Sequence, residues 1–138
     1  MKQISTRFSI AVHTLSLIAL NPNECTGDYI ASSVNTNPVV IRRIMGMLKK
    51  AGLIDVRVGV GGASLLKNPE EISLLEVYRA VNAAEENQLF RIHENSNIKC
   101  PVGRNIEAVL QTEFLEAQRA MEQRLAQTTL QDLRGKFV

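Results

Sequence analysis

Hydrophobic periodicity changes abruptly at Gly52, and this change constrains the fold more than any other feature of the chain. Residues 38–51 repeat their apolar side chains with helical spacing, whereas residues 53–58 form a run rich in β-branched residues. Glycine dominates residues 59–62, and an apolar run resumes at residues 63–66. This order predicts a helix that ends at Gly52 and leads into a β-hairpin with a glycine tip.

Three helices are predicted before that hairpin. A broad apolar face indicates a first helix over residues 5–20. Thr26 offers an N-cap for a short helix over residues 29–34. Asn37 and Pro38 suit the start of the third helix, because asparagine accepts hydrogen bonds from free N–H groups and proline has no N–H to lose. The second and third helices are therefore joined by a tight turn.

The second half of the chain is dominated by one long helix. Ser73 and Glu76 form a capping-box pattern, which predicts a helix through about Val81. Residues 82–101 lack clear periodicity and are interpreted as a loop or a broken helix. Beyond Pro101 an apolar stripe runs along a polar helix, and since no neighbouring segment is predicted to cover it, we expect a second copy of the chain to do so. The stripe consists of Ile106, Leu110, Phe114, Ala117, Met121 and Leu125 and continues to Thr128.

The order of these elements predicts the fold class: mainly α with a small β-hairpin wing, that is, a winged helix-turn-helix plus a long C-terminal dimerisation helix. In such a fold one helix enters a major groove and the short helix before it braces the DNA backbone. The charge distribution agrees with a polyanionic partner. Residues 1–67 hold eight Lys/Arg against three Asp/Glu (+5), and residues 68–138 hold eight against eleven (−3).

The third helix has two faces of different character. Apolar residues at 41, 44, 45 and 48 are expected in the core, whereas Val39, Arg43, Gly46 and Lys50 form the opposite stripe, flanked by Val40, Arg42 and Met47. Outward valines suit thymine methyl groups, and arginines suit guanines or phosphates. A core helix with a merely solvated basic face is the alternative. The candidate DNA-binding residues are Thr6, Arg7, Asn37, Val39, Val40, Arg42, Arg43, Lys50, Arg57, Gly61 and Gly62.

Some of these candidates have a simpler interpretation. For Thr6, Arg7 and Arg57 an ordinary solvated position is the equal alternative, and Gly61 and Gly62 primarily permit a tight turn. His13 is interpreted as a satisfied, partly buried histidine and not as a ligand.

Other function classes lack the residues that they need. The chain offers no Ser/His/Asp set, no carboxylate cluster in a glycine-framed pocket, no phosphate loop and no metal-ligand spacing, so we expect no enzyme. Its longest apolar stretch, residues 15–20, is too short to span a bilayer, so no membrane partner is expected. Two distant cysteines indicate a reducing cytoplasm and not a secreted disulfide framework. A winged-helix module that binds protein instead of DNA is the alternative, because it would share this fold.

Segments along essentially the whole chain resemble the Rrf2 regulators, the IscR/NsrR/CymR group. The matching segments are residues 4–7, 48–54, 59–62, 68–74 and 129–133. The resemblance implies a homodimeric DNA-binding repressor or activator with a sensor for a small signal or redox change before the long helix. It gives three units: a DNA-binding domain at 1–81, a sensor-type loop at 82–101 and a dimerisation helix at 102–138.

The chain departs from that family in the sensor loop and in the wing. Members that hold an iron–sulfur cluster usually carry three cysteines in the loop, where this chain has only Cys100, so no cofactor is expected. A redox switch through Cys100, paired with Cys25 of the partner subunit, is one hypothesis, and two ordinary reduced thiols are the other. In the wing, Val58 stands where the family usually has arginine, and Arg57 one place earlier is expected on the other strand face.

Overall fold

A computed structural model describes residues 6–57, 62–82 and 89–137. These residues form a mainly helical fold with one antiparallel hairpin and a long helix near the C-terminus, which confirms the predicted fold class. The elements are α1 (Thr6–Leu20), α2 (Gly27–Val34), α3 (Pro38–Lys50), β1 (Ile54–Val56), β2 (Ala63–Leu65), α4 (Leu74–Asn82), α5 (Pro101–Gln127) and α6 (Leu130–Arg134), with a 3₁₀ turn at Pro69–Glu71 before α4.

Side-chain caps start the helices where the sequence predicts them. The side-chain oxygens of Asn37 and Thr26 accept backbone N–H bonds of 2.8 and 3.1 Å in the first turns of α3 and α2. Ser73 and Glu76 make both bonds of the capping box, at 3.2 and 3.4 Å. Because Thr26 itself is the N-cap, α2 begins at Gly27 and not at residue 29 as expected.

The hairpin is short, and one of its strands is also tied to the loop before α2. Asp55 of β1 lies opposite Ser64 of β2, and each strand is three residues long, shorter than its apolar run. Gly52 has a φ of +80°, the left-handed conformation that the sequence predicts for the turn from α3 into β1. The N–H of Ala63 donates to the carbonyl of Cys25 at 2.9 Å, forming an isolated bridge. The wing is therefore attached at its root to the helix-turn-helix.

One aliphatic core holds α1 to α4, the hairpin and α6 together. Its largest fully buried side chains are Leu15, Ile18, Ile30, Ile41, Ile44, Leu48, Leu53, Ile54, Ile72, Val77, Val81 and Leu130. The predicted inner face of α3 lies in this core. Within the described ranges, no helix is long and apolar enough to cross a membrane.

The end of the chain returns to this core, which the sequence analysis did not predict. The N–H of Leu74 donates to the carbonyl of Thr128 at 2.9 Å, and the N–H of Leu130 donates to that of Ile72 at 2.8 Å. Leu130 is 1% exposed, so α6 belongs to the core and does not extend α5. A second capping box, Thr129 with Asp132, starts α6 and is the sequence signal that could have revealed it.

Candidate nucleic-acid interface

The outer face of α3 carries four cationic side chains and no acidic residue. Arg42, Arg43, Lys49 and Lys50 are all exposed, and Val39 in the first turn is 52% exposed. Asn37, which caps this helix, is exposed as well. The face is therefore positively charged over most of its length and presents an apolar side chain at its N-terminal end.

Two residues expected beside this face are turned toward the interior. Val40 and Met47 are half-buried and pack against the core. At about 100° per residue, Val40 falls close to the buried Ile44, which explains the difference from Val39. The residues of α3 that remain exposed to solvent on this face are Val39, Arg42, Arg43, Gly46, Lys49 and Lys50.

A groove of about 470 Å³ separates α3 from the start of α2 and from β1. Arg42 and Lys49 line it on the α3 side and Thr26 on the α2 side, while Asp28 contributes one carboxylate. A Cβ atom on Gly46 would meet no atom within 4 Å, so the α3 wall is open at this point. Lys49 is not among the residues predicted from the sequence, although it lies two helical turns after Arg42 on the same side of the helix.

In the wing, the cationic residue Arg57 is hydrogen-bonded to Gly62, a position where the backbone requires glycine. Arg57 is exposed after β1, and its N–H donates to the carbonyl of Gly62 at 3.2 Å. Gly62 has a φ of +64°, and a Cβ atom there would overlap the backbone carbonyl of Cys25. Glycine is thus required for the wing to approach the loop before α2. Val58 and Gly61 lie outside the described residues.

The start of α1 lies beside the C-terminal end of α3. Thr6 is exposed and Arg7 half-buried, and Arg7 lines a cavity of about 540 Å³ together with Lys50. The predicted DNA-binding residues in the described part of the chain therefore lie in three places: the face of α3, the wing at Arg57, and the α1 start next to Lys50.

The predicted stripe of α5 is partly covered by its own chain. Phe114 stacks on Phe90 with ring centroids 4.8 Å apart, because the segment after residue 88 folds back onto the middle of the helix. The expectation that no neighbouring segment covers the stripe is therefore wrong at this position. Ile106, Leu110, Met121 and Leu125 are half-buried, and Ala117 is exposed.

A second, more exposed apolar face lies next to that stripe. Val102 and Val109 are 67% and 58% exposed. Ile106, Ala117 and Ala120 fall within the same sector of about 80° around the helix axis. Glu113 and Arg124 lie in this sector too, so the face is apolar mainly in the N-terminal half of α5. Gln118 is the buried residue of α5, so the described part of the chain leaves most of this helix uncovered.

The two thiols lie in opposite environments. Cys25 is buried, and desolvation, with a smaller contribution from the nearby Glu24 carboxylate, raises the pKa of its thiol. Cys100 is exposed at the N-cap of α5, where the backbone N–H groups of Gly103 and Val102 lower the pKa of its thiol. Cys100 therefore has the greater thiolate character at neutral pH.

The side chains near Cys100 do not fit an iron–sulfur cluster. In the described ranges, no three His, Cys, Asp or Glu residues are placed to hold a metal ion. Cys100 offers one thiolate, and Cys25 is buried in the loop before α2. An iron–sulfur cluster needs several cysteine thiolates, which this loop does not supply.

His13 was expected to be partly buried. It is exposed instead, and its Nε2 lies 3.0 Å from Ser33 Oγ.

Known proteins with this arrangement are transcriptional regulators. Residues 4–136 match the Rrf2 family, described as iron-dependent transcriptional regulators. The chain is 52% identical over 130 residues to YwnA of Bacillus subtilis (strain 168), provisionally named a helix-turn-helix transcriptional regulator, with 94% of this chain and 96% of YwnA covered.

Two solved structures are similar over nearly their whole length. One, provisionally described as a DNA-binding protein, is 46% identical with a TM-score of 0.74, covering 92% of this chain and 97% of that one. Oxidised CymR of Staphylococcus aureus has the same fold at 23% identity, with a TM-score of 0.70 and 97% and 96% of the two chains covered. The chain thus belongs to the Rrf2 family of transcriptional regulators, as the resemblance predicted.

Proposed function

We propose that this regulator is a cytoplasmic homodimer that binds double-stranded DNA sequence-specifically at a two-fold symmetric operator and represses transcription there. The observation that carries the proposal is the outer face of α3, which combines four cations, no acidic residue and an exposed valine. A helix with this face suits the major groove, since DNA phosphates surround it with negative charge and base edges form its floor.

We assign one part of this face to the bases and the other part to the phosphates, according to the position of each side chain along α3. Val39 and Arg43 lie one helical turn apart near the N-terminal end, the part of a recognition helix that meets base edges. Arg43 is assigned to a guanine and Val39 to a thymine methyl group. The lysines at the other end and Arg42 beside the groove are assigned to phosphates, which fix position without reading sequence.

The uncovered face of α5 supports the homodimer. A helix of 27 residues is about 40 Å long, and its exposed valines would each leave apolar area in water in a monomer. A symmetric pair of such helices would cover both faces and relate the two copies of α3 by a two-fold axis, as a two-fold symmetric operator requires. A dimer seated in this way would exclude other proteins from the same DNA, which is the basis for proposing repression.

The deciding experiment selects bound duplexes from a random pool with purified protein and then titrates the selected and a scrambled duplex at several salt concentrations. We expect a two-fold symmetric consensus and an affinity that falls steeply with salt. Absence of salt-dependent binding to any duplex would favour the alternative, a winged-helix module that binds protein.

We also propose Cys100 as the residue that makes the regulator thiol-responsive. Its exposure and lowered pKa favour oxidation, whereas the burial of Cys25 argues against a disulfide with Cys25 of the partner subunit. Mild oxidation should change DNA affinity in the parent protein and leave Cys100→Ser unaffected. An equal response in both proteins would remove Cys100 from the mechanism.

A further inference from the structure

We propose that the cavity between α1, α3 and α4 binds a small amphipathic carboxylate, an apolar body with one anionic head, and that its occupation weakens DNA binding. The cavity is a cleft of about 540 Å³ that is open to solvent on one side, and its volume lies within the range of small-molecule sites. The effect of the ligand on DNA binding rests on the proposed function, whereas the binding of the ligand to the cavity does not.

The floor of the cavity is apolar. Leu53 and Val81 are almost completely buried at 1% and 2% exposure, and Met47 and Ala80 beside them are half-buried. A hydrocarbon body placed here would be removed from water, which is favourable in proportion to the apolar area covered. A DNA phosphate would gain nothing from this floor, so the surface suits an amphipathic small molecule better than a second DNA contact.

The rim of the cavity is cationic. Arg7, Lys50 and Arg79 line it, against the single carboxylate of Glu76. Glu76 is already engaged, since its Oε2 lies 2.8 Å from the Nζ of Lys67. When Lys67 and Glu122, which pair with Glu76 and Arg79, are counted as well, four cations stand against two carboxylates, so the balance of charge still favours an anionic head.

The partial negative charge at the C-terminal end of α3, which lies at this cavity, does not cancel the positive charge of the rim. The last carbonyls of a helix carry partial negative charge, which by itself would disfavour an anion. Here the carbonyls of Met47, Leu48 and Lys49 accept N–H bonds of 3.0 to 3.1 Å from the three residues that follow the helix. Occupied in this way, they leave the cations to dominate the rim.

Two of the rim cations connect the cavity to other parts of the molecule. Lys50 belongs to the cationic face of α3. Arg79 of α4 faces Glu122 of α5 across 3.9 Å, with the Arg79 side chain 58% exposed, so this pair is loosely held. A bound carboxylate would compete with Glu122 for Arg79 and with a DNA phosphate for Lys50. Occupation therefore acts against DNA binding through Lys50.

Octanoate serves as the probe, with octan-1-ol lacking the charge and acetate lacking the apolar body. Amide resonances of the full-length protein should shift with octanoate near Lys50, Leu53 and Ala80, and the fitted affinity should exceed that of either control. Equal binding of octan-1-ol, or shifts confined to other regions, would overturn the proposal.

Four variants separate the cavity from non-specific binding. Arg79→Gln and Lys50→Ala should each weaken octanoate about two- to fivefold, the range of an exposed ion pair. Lys49→Ala is the matched control, because it removes the neighbouring lysine, which lines the other groove. Glu76→Gln should strengthen octanoate binding, an outcome that loss of folding cannot imitate. Unchanged affinity in both Arg79→Gln and Lys50→Ala would overturn the proposal.

The regulatory effect is measured with the selected duplex. Octanoate should weaken DNA binding by the same factor as Lys50→Ala does, and it should have no further effect on that variant. Binding of octanoate without any change in DNA affinity would overturn the regulatory part. A protein that binds octanoate but no DNA would contradict the proposed function and leave the cavity assignment standing. A protein that binds DNA but no octanoate would do the reverse.

Discussion

α3 and α5 both present a face that the rest of the described chain leaves open, yet the two faces differ in chemistry. α3 buries four of its 13 residues, and its open face is cationic. α5 buries Gln118 alone among 27 residues, and its open face carries exposed valines. Charged side chains are well solvated, so the surface of α3 is stable in water, whereas that of α5 is incomplete until apolar atoms cover it.

The two helices therefore need different partners. A cationic face needs no partner for stability and gains affinity only when counterions on a polyanion are released. An apolar face loses free energy in water at roughly 25 cal/mol per Å² and is relieved only by another apolar surface.

The largest effect is expected from Val109→Asp on the open face of α5. A carboxylate buried without a partner in the interface should weaken dimerisation by roughly 3 to 5 kcal/mol, more than a hundredfold in the dissociation constant. Sedimentation at micromolar concentration should show monomers. Ala108→Asp, exposed on the other side of the helix, is the matched control and should stay dimeric. If both variants are dimers, the interface lies elsewhere.

Truncation of the core anchor of α6 comes next. Leu130→Ala removes a side chain that is 1% exposed and should lower the free energy of unfolding by about 2 to 5 kcal/mol. Leu115→Ala on α5, where the side chain is 44% exposed, should cost less than about 1 kcal/mol. Urea denaturation of both variants gives the comparison. Equal losses would show that α6 does not contribute to the core.

A smaller effect is expected where α3 is proposed to read bases. Arg43→Ala should lower affinity for the selected duplex by about 1 to 3 kcal/mol more than for a scrambled one, since a bidentate arginine–guanine contact is lost. Lys49→Ala should weaken both duplexes equally and reduce the log–log salt slope by about one unit. Paired titrations distinguish them. An equal loss on both duplexes in Arg43→Ala would make Arg43 a phosphate contact.

The smallest effect concerns thiol reactivity. Because the pKa of Cys100 is lowered, its thiolate persists to lower pH, and its alkylation by iodoacetamide should reach half its maximal rate at a lower pH than a free cysteine peptide does. Cys25, with its raised pKa and its burial, should react only after unfolding. Mass spectrometry of the two cysteine peptides across pH separates the sites. Faster labelling of Cys25 in the folded protein would contradict both assignments.

Local signals allowed much of the fold to be predicted from sequence. Asn37, Pro38 and the Ser73 capping box fixed the starts of two helices, since each acts on backbone groups within three residues. Gly52 marked the turn into β1 for the same reason. These features are decided by neighbours in sequence, so a single chain is sufficient to find them.

Contacts between distant segments could not be predicted in this way. The stacking of Phe90 on Phe114 and the return of Leu130 to the core join residues that are far apart in sequence. Helical spacing puts Val40 at the border between the outward stripe and the buried Ile44, and packing of the neighbouring elements decides that it is half-buried. The assignments of individual DNA-contacting and dimer-contacting residues stay predictions, because both depend on a partner that lies outside the chain itself.

The bridge between Cys25 and Ala63, together with the close approach of Gly62, lowers the conformational entropy of the wing in the unbound protein. A wing hinged only at Gly52 would sample many orientations, and ordering it on DNA would reduce the affinity gained from each contact. Attachment to the loop before α2 removes that freedom before binding. The distance between the α3 face and Arg57 is then fixed before binding. In the proposed complex this distance would set how many base pairs one half of an operator spans.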